Sequence, residues 1–361
     1  MPRPPIDLGG PPPLLDIRSE ARRGPGRRDH LTSPQIEYIA RTVHRTPEVM
    51  VKVLSHGAGD LRAVGRHIKY LARNGEVEIE TDDGRRLEGK GVEKEIIDDW
   101  DLDLDEVRPT GGLRSPGNRP PPKLVHKLMF SMPAGTPPQK VLAAVENFAR
   151  EEFGAKHRYA MVLHTDEPHP HVHMIVKALS EDGRRLNIRK ATLREWRREF
   201  ARQLREQGVA ANATMRAARG STRLKKHDGI FRAHERGAST HWGSRTRAVA
   251  EELASGNFRP EAGKESLLAT RRSVVRGWEA ISLQLDAQGQ TELARAARRF
   301  VADMSPPLTE KEQIRLGLLE KLAARRPILR ARDVPLQAGA GQTEATRSHG
   351  GASAEREPPT R

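Results

Sequence analysis

Lys and Arg number 63 against 48 Asp and Glu in this 361-residue chain, a formal charge of +15, and there is no cysteine. The missing thiols exclude disulfides and thiolate-held zinc, and no early apolar stretch has the length of a signal core or membrane span, so a cytoplasmic protein without membrane insertion is expected. The basic surplus favours a polyanion bound in a salt-dependent way, nucleic acid first, and with aromatic residues at 4 % the contacts should come from Arg and Lys on phosphates rather than from base stacking.

Residues 1–30 are rich in Pro, Gly and Arg, lack apolar periodicity and read as a disordered extension. The first helix is SPQIEYIARTVHR, with Ser33 as N-cap, Pro34 in the first turn and Ile36, Ile39, Ala40 and Val43 on one face. A strand-like run, EVMVKVLS, follows. Asp60 then caps DLRAVGRHIKYLARNG, whose stripe is Leu61, Val64, Ile68, Leu71 and Ala72 and whose stop is Gly75. EVEIETDDGRRLEG reads as a strand pair turning at Asp83-Gly84, and the acidic stretch and Pro-rich segment after it read as a loop. LVHKLMFSMPAG is a strand, PQKVLAAVENFAREEFG an amphipathic helix, RYAMVLH and HVHMIVKAL an antiparallel hairpin, and KATLREWRREFARQLREQG a long helix ending at Gly208.

This order predicts an α+β domain, an antiparallel sheet with helices packed on it, over residues 31–225. Leu267, Val274, Trp278, Ile281 and Leu285 recur at helical spacing and TELARAARRFVADM adds a second helix, so 226–330 is expected to be α-helical and 331–361 a disordered polar and basic tail. The chemistry is expected before about residue 230.

The hairpin turn carries the densest chemistry. HTDEPHPHVH, residues 164–173, holds four histidines and two carboxylates. Strand alternation sends His171 and His173 to one face with Val172 opposite, and the hairpin returns His164 beside them. Three imidazoles with an open position describe a catalytic metal site better than a closed structural one. The donors suit magnesium, manganese or zinc, so a divalent metal is expected without its identity. Asp166 and His169 lie in the turn, where they could orient a ligating ring. A solvated, histidine-rich loop is the plain alternative.

A phosphate polarised by such a metal needs a nucleophile, and without cysteine the choices are water, Ser or Thr, or one of three tyrosines. Tyr159 is five residues from His164 on one strand and so faces the other way. Tyr70 falls roughly 150° from the centre of its helix stripe and should point to solvent. Arg66 and Arg73 flank it and could hold a phosphodiester. Tyr38 has Arg41 and Arg45 in a similar arrangement, so periodicity alone does not separate the two.

HTDEPHPHVH resembles the HxDxxxPHxH motif of conjugative relaxases, HUH-type tyrosine DNA endonucleases, and among them most closely the MOBP class to which border endonucleases of T-DNA transfer belong. IKYLARNGEVEIE is similar to that family's tyrosine helix, HKLMFSMPAGT to its central strand, and ATMRAARG to its distal arginine segment, so the likeness covers roughly residues 48–225. The resemblance implies an HUH relaxase fold, Tyr70 as nucleophile, His164, His171 and His173 as metal ligands, and Asp166 as the motif carboxylate, a base or an orienting partner. It extends the expected DNA contacts from Arg66 and Arg73 to Arg216 and Arg219, and the basic run that follows adds Arg223, Lys225 and Lys226. One departure is the extension of nearly fifty residues before the first strand, which keeps Tyr38 in view.

The implied activity is nicking of single-stranded origin-of-transfer DNA through a 5′-phosphotyrosine adduct, with rejoining after transfer. The implied partners are accessory relaxosome proteins and a type IV coupling protein, and the implied location is the bacterial cytoplasm, with export alongside the transferred strand. A replication initiator or transposase of the same superfamily would share the chemistry. A metal-dependent hydrolase would leave no adduct, and a binding protein would not need the histidines.

Overall fold

The computed structural model describes residues 30–54, 60–107, 122–221, 233, 236–237, 239–258 and 261–332. The expected N-terminal extension and C-terminal tail, except His30, Ala331 and Arg332, and the basic residues Arg223, Lys225 and Lys226 lie outside the described residues. Two compact units divide the chain, one of Met1–Arg223 with Ala262–Pro307 and one of Leu224–Glu261 with Leu308–Arg361.

In the first unit the elements are α1 (Ser33–Val43), β1 (Met50–Leu54), α2 (Leu61–Leu71), β2 (Ile79–Thr81), β3 (Arg86–Leu87), α3 (Val92–Asp99), α4 (Leu102–Val107), β4 (Val125–Ser131), α5 (Pro138–Phe153), β5 (Tyr159–His164), β6 (His171–Lys177) and α6 (Lys190–Glu206), then α8 (Lys264–Ala287) and α9 (Thr291–Ala302). The other unit holds α7 (Thr240–Ser255) and α10 (Glu310–Arg332). There Lys311 and Arg315 of α10 face Glu252 of α7, and the Arg315 guanidinium lies 4.3 Å from the centroid of the Phe258 ring.

The strands form one six-stranded sheet in the order β1-β4-β6-β5-β2-β3, every pair antiparallel. This is the α+β architecture expected. Its two faces are covered differently. Val51, Leu128, Phe130, Tyr159, Met161, Val172, Met174 and Val176 meet Phe148 and Phe153 of α5 and Trp196 and Phe200 of α6 in one core. Val125, Ala160, Val162 and Ile175, on the opposite face, meet Val64, Ile68 and Leu71 of α2 and Val92, Ile96, Trp100 and Leu102 around α3 and α4. With both faces covered, every residue of β6 is buried, so the alternation of its sequence sorts residues between two cores rather than between core and water.

Two expectations are corrected. The cap of α1 is Thr32, not Ser33: Thr32 N–H donates to Gln35 Oε1 at 2.8 Å, and Ser33 is the first helical residue. The acidic segment after β3 is not a loop. Val92, Ile96 and Trp100 recur every four residues, and this apolar stripe folds 92–107 as α3 and α4 against the sheet, with Glu95 and Asp98 exposed and Asp105 buried 3.7 Å from Lys177.

A third core joins Leu31, Ile39 and Val43 of the N-terminal helix region to Ala218, to Val274, Trp278, Ile281 and Leu285 of α8, and to Ala294, Ala297 and Phe300 of α9. Trp278 Nε1 donates to the Ala218 carbonyl at 2.9 Å and an Arg271 guanidinium nitrogen to that of Gly220 at 2.9 Å. The first two helices expected after residue 225 in the sequence therefore pack with α1 in the same unit as the sheet.

Candidate active site

The pleat and register of β5 and β6 bring three histidines together. His164 and His171 are direct cross-strand partners, and His173 lies one pleat further on the same face, opposite Val162. Ring centroids are 5.3 Å apart for His164 and His171, 5.0 Å for His164 and His173, and 5.1 Å for His171 and His173. One nitrogen of each ring lies within 4.8 Å of the others, and all three side chains are buried.

Their hydrogen bonds fix which nitrogens are free. His164 Nε2 lies 2.9 Å from the Leu71 carbonyl and His171 Nδ1 lies 3.0 Å from that of His169. A carbonyl only accepts, so each of these nitrogens carries the proton and leaves a lone pair on the other. His173 Nδ1 is buried with no hydrogen-bond partner among the described residues. Burial holds His164 below the ordinary imidazole value, and burial together with the neighbouring His164 and His171 rings pushes His173 down to about 3. Three imidazoles gathered within reach of one point, one of them with a buried nitrogen that has no partner among the described residues, are what a divalent cation takes as ligands. The three residues brought together are those expected from the sequence.

The Leu71 carbonyl is one of the last on α2, which the helix itself leaves without a partner. By accepting from His164 it ties the end of α2 to the histidines, and Tyr70 is the residue before it. Val64, Ile68 and Leu71 are buried on the sheet, which turns Tyr70 outward at 58 % exposure. Tyr38 is 7 % exposed and Tyr159 sits in the core of the opposite sheet face.

After α2 the backbone at Arg73, Asn74 and Gly75 is left-handed, with φ of 50°, 59° and 96°. Asn and Gly tolerate this, whereas Arg73 is held there against its preference. The turn is pinned by Gly89, whose N–H donates to the Gly75 carbonyl at 2.9 Å, and a Cβ on Gly75 would meet the Gly89 oxygen at 2.1 Å. The result places the Arg73 guanidinium 5.2 Å from the centroid of the Tyr70 ring and in an ion pair with Asp166 of the histidine turn. The Tyr70 side chain and the Asp166 carboxylate keep Arg73 above its ordinary value. Desolvation pushes Asp166 up, but its own backbone N–H and Arg73 outweigh that and hold it below the usual carboxylate range. Asp166 thus faces Arg73.

Arg66 is exposed one turn before Tyr70. Arg216 is exposed beside the short helical turn Ala217–Arg219, while the Arg219 guanidinium is 3.4 Å from Glu48 just before edge strand β1. Two neighbours escaped the sequence reading. His67, one turn before Tyr70, has its ring 6.5 Å from the tyrosine ring at 18°, and burial and then Lys127 push it down to about 4. Lys127 is buried on β4, and burial followed by Arg66 lowers it. Helical spacing from Tyr70 would have flagged His67, and alternation from Val125 would have flagged Lys127.

A buried histidine triad at one hairpin of the antiparallel sheet and an exposed tyrosine on the helix end bonded to it make up the candidate site. Residues 80–209 match the family model described as the relaxase MobA/VirD2-like nuclease domain. The matched segment contains the three histidines and Asp166 but not Tyr70. The chain is 26 % identical over 200 residues to the T-DNA border endonuclease VirD2 of Agrobacterium fabrum strain C58, covering 48 % of this chain and 41 % of that protein. It is 24 % identical over 198 residues to VirD2 of Rhizobium rhizogenes, covering 48 % and 42 %. The match therefore spans less than half of each relative's length. A solved structure, the MobM relaxase domain bound to plasmid pMV158 oriT DNA with manganese, aligns at 14 % identity and a TM-score of 0.35, covering 52 % of this chain and 98 % of that one. No described helix is long and apolar enough to cross a membrane.

Proposed function

We propose that the protein is a conjugative relaxase that nicks single-stranded origin-of-transfer DNA by transesterification, with Tyr70 as nucleophile. The observation that carries this is the exposed Tyr70 on a helix end bonded to His164 through the Leu71 carbonyl. Its hydroxyl oxygen attacks the scissile phosphorus, a Tyr–O–P bond forms, the bond from phosphorus to the 3′ oxygen breaks, and that oxygen leaves as a 3′-hydroxyl after taking a proton. As the oxygen attacks, the hydroxyl proton of Tyr70 passes to a base. One phosphodiester replaces another, so the step reverses readily and suits rejoining.

His164, His171 and His173 would hold a divalent metal. Such an ion, when bound, supplies positive charge against the non-bridging phosphate oxygens. Arg66 and Arg73 flank the tyrosine and neutralise the backbone phosphates, holding the strand so that the scissile bond lies in line with the hydroxyl. Arg216, and the basic residues Arg223, Lys225 and Lys226, extend this electrostatic footprint. Transfer of the linked strand through a type IV system, with accessory proteins opening the duplex, completes the proposal.

The test is incubation with single-stranded oligonucleotides spanning the cognate transfer origin in the presence of Mg2+ or Mn2+, read on a denaturing gel. A slow-migrating protein–DNA adduct is expected from the wild-type protein and none from Tyr70→Phe, which keeps DNA binding. Adduct at wild-type level from Tyr70→Phe removes the nucleophile assignment, and cleavage without adduct favours a water-using nuclease.

A further inference from the structure

Resting on the function proposed above, we propose that Arg73 and Asp166 form a phosphate subsite held by a resident carboxylate. In the free protein Asp166 occupies the guanidinium beside Tyr70, and a phosphate of the incoming DNA strand takes its place.

The two residues come from the two elements that carry the chemistry. Arg73 follows the tyrosine helix, Asp166 sits in the β5–β6 turn between the histidines, and they are 93 positions apart in sequence. The guanidinium lies 5.2 Å from the centroid of the Tyr70 ring, so whichever anion it binds is beside the nucleophile. Its reach is preset. The left-handed turn at Arg73, Asn74 and Gly75, packed on Gly89, leaves the arginine backbone little room to choose another direction.

The pair is also exchangeable. Side-chain exposure is 30 % for Arg73 and 54 % for Asp166, so an anion from solution can reach the guanidinium without opening the core. Ion pairs this exposed are weak, whereas a phosphodiester offers two oxygens to the planar guanidinium fork in parallel. A DNA strand held at many other phosphates brings that group at high effective concentration, and the carboxylate is displaced. The adjacent Glu167 is exposed and makes no ion pair among the described residues. It has the same charge in the same turn without the contact, and so separates a specific exchange from a general field.

The experiment measures affinity for one fixed single-stranded oligonucleotide in the Tyr70→Phe protein, where no covalent product forms, at one salt concentration. Asp166→Asn is expected to tighten binding about three- to tenfold by freeing Arg73, and Glu167→Gln to change it less than twofold. Arg73→Gln should weaken binding and abolish the gain from Asp166→Asn, because the two positions then have nothing to exchange. Asp166 is exposed and Arg73 half-buried, and an unchanged thermal midpoint checks that the variants keep the fold. The proposal is overturned if Asp166→Asn gives no gain, if the gain persists undiminished beside Arg73→Gln, or if Glu167→Gln matches it. Failure of the relaxase function itself looks different, since the wild-type protein would then leave no adduct. Failure of the exchange alone leaves the adduct intact and removes only the coupling between positions 73 and 166.

Discussion

Tyr38 and Tyr70 have identical chemistry and opposite surroundings, 7 % against 58 % exposed. Tyr38→Phe should therefore keep wild-type adduct formation on the gel that shows none for Tyr70→Phe, and loss of adduct by both would return Tyr38 to the site. Arg66 and Arg219 make a second pair of contrasts. Arg219→Ala strips a partner from Glu48, whose carboxyl burial pushes up and Arg219 pulls down, and should cost about 1–3 kcal/mol in urea unfolding. Arg66→Ala removes only an exposed charge and should lower DNA affinity and the salt slope with stability unchanged. Histidines set the acid limit. Burial, with nearby positive charge, holds His126 and His67 at about 4, and burial with its two partner rings holds His173 at about 3. Folded values below the ordinary 6.5 mean that the unfolded chain binds more protons between these limits. Stability is then complete above about pH 6.5 and falls as the pH drops towards 4 and below. Urea midpoints should be lower at pH 4.5 than at pH 7.5, and His126→Gln should reduce that difference.

At the scale of elements, the turn after α2 is where a small change should do most. Gly75→Ala forces a side chain into a left-handed backbone, costing about 1–2 kcal/mol, and also overlaps the Gly89 carbonyl. Lower stability and weaker adduct formation are expected together, because this turn sets both Arg73 and the end of the tyrosine helix. Much of this layer was legible in the sequence. The alternation of His171, Val172 and His173 gave the face of each ring, and the α2 stripe gave the outward direction of Tyr70. What escaped had a physical reason. In α3 and α4 the apolar positions are few and spaced among acids, so composition hid a stripe that only the sheet reveals. The Leu71 carbonyl is backbone, and no side-chain pattern announces it. The ion pair of Arg73 with Asp166 depends on three successive left-handed residues, a conformation that the letters Arg-Asn-Gly permit without requiring.

For the whole molecule, metal and chain length are the informative variables. A cation that binds the folded histidines and not the unfolded chain must raise the thermal midpoint. Mn2+ or Mg2+ should do so for the wild-type protein and not for His171→Ala combined with His173→Ala, a measurement that needs no DNA. A protein truncated at residue 230 keeps every proposed catalytic group but loses Val274, Trp278, Ile281 and Phe300, which cover Ile39 and Val43. It should unfold at a lower temperature than one truncated at 307, and be more prone to aggregate. The same third core has a consequence during synthesis. Its first residues, Leu31 and Ile39, leave the ribosome long before α8 and α9 do, and at about 5–20 residues per second the interval is some tens of seconds. Tyr70 and the histidines are therefore translated while α1 still exposes an apolar face, and the unit that contains them closes only when residues near 300 have emerged.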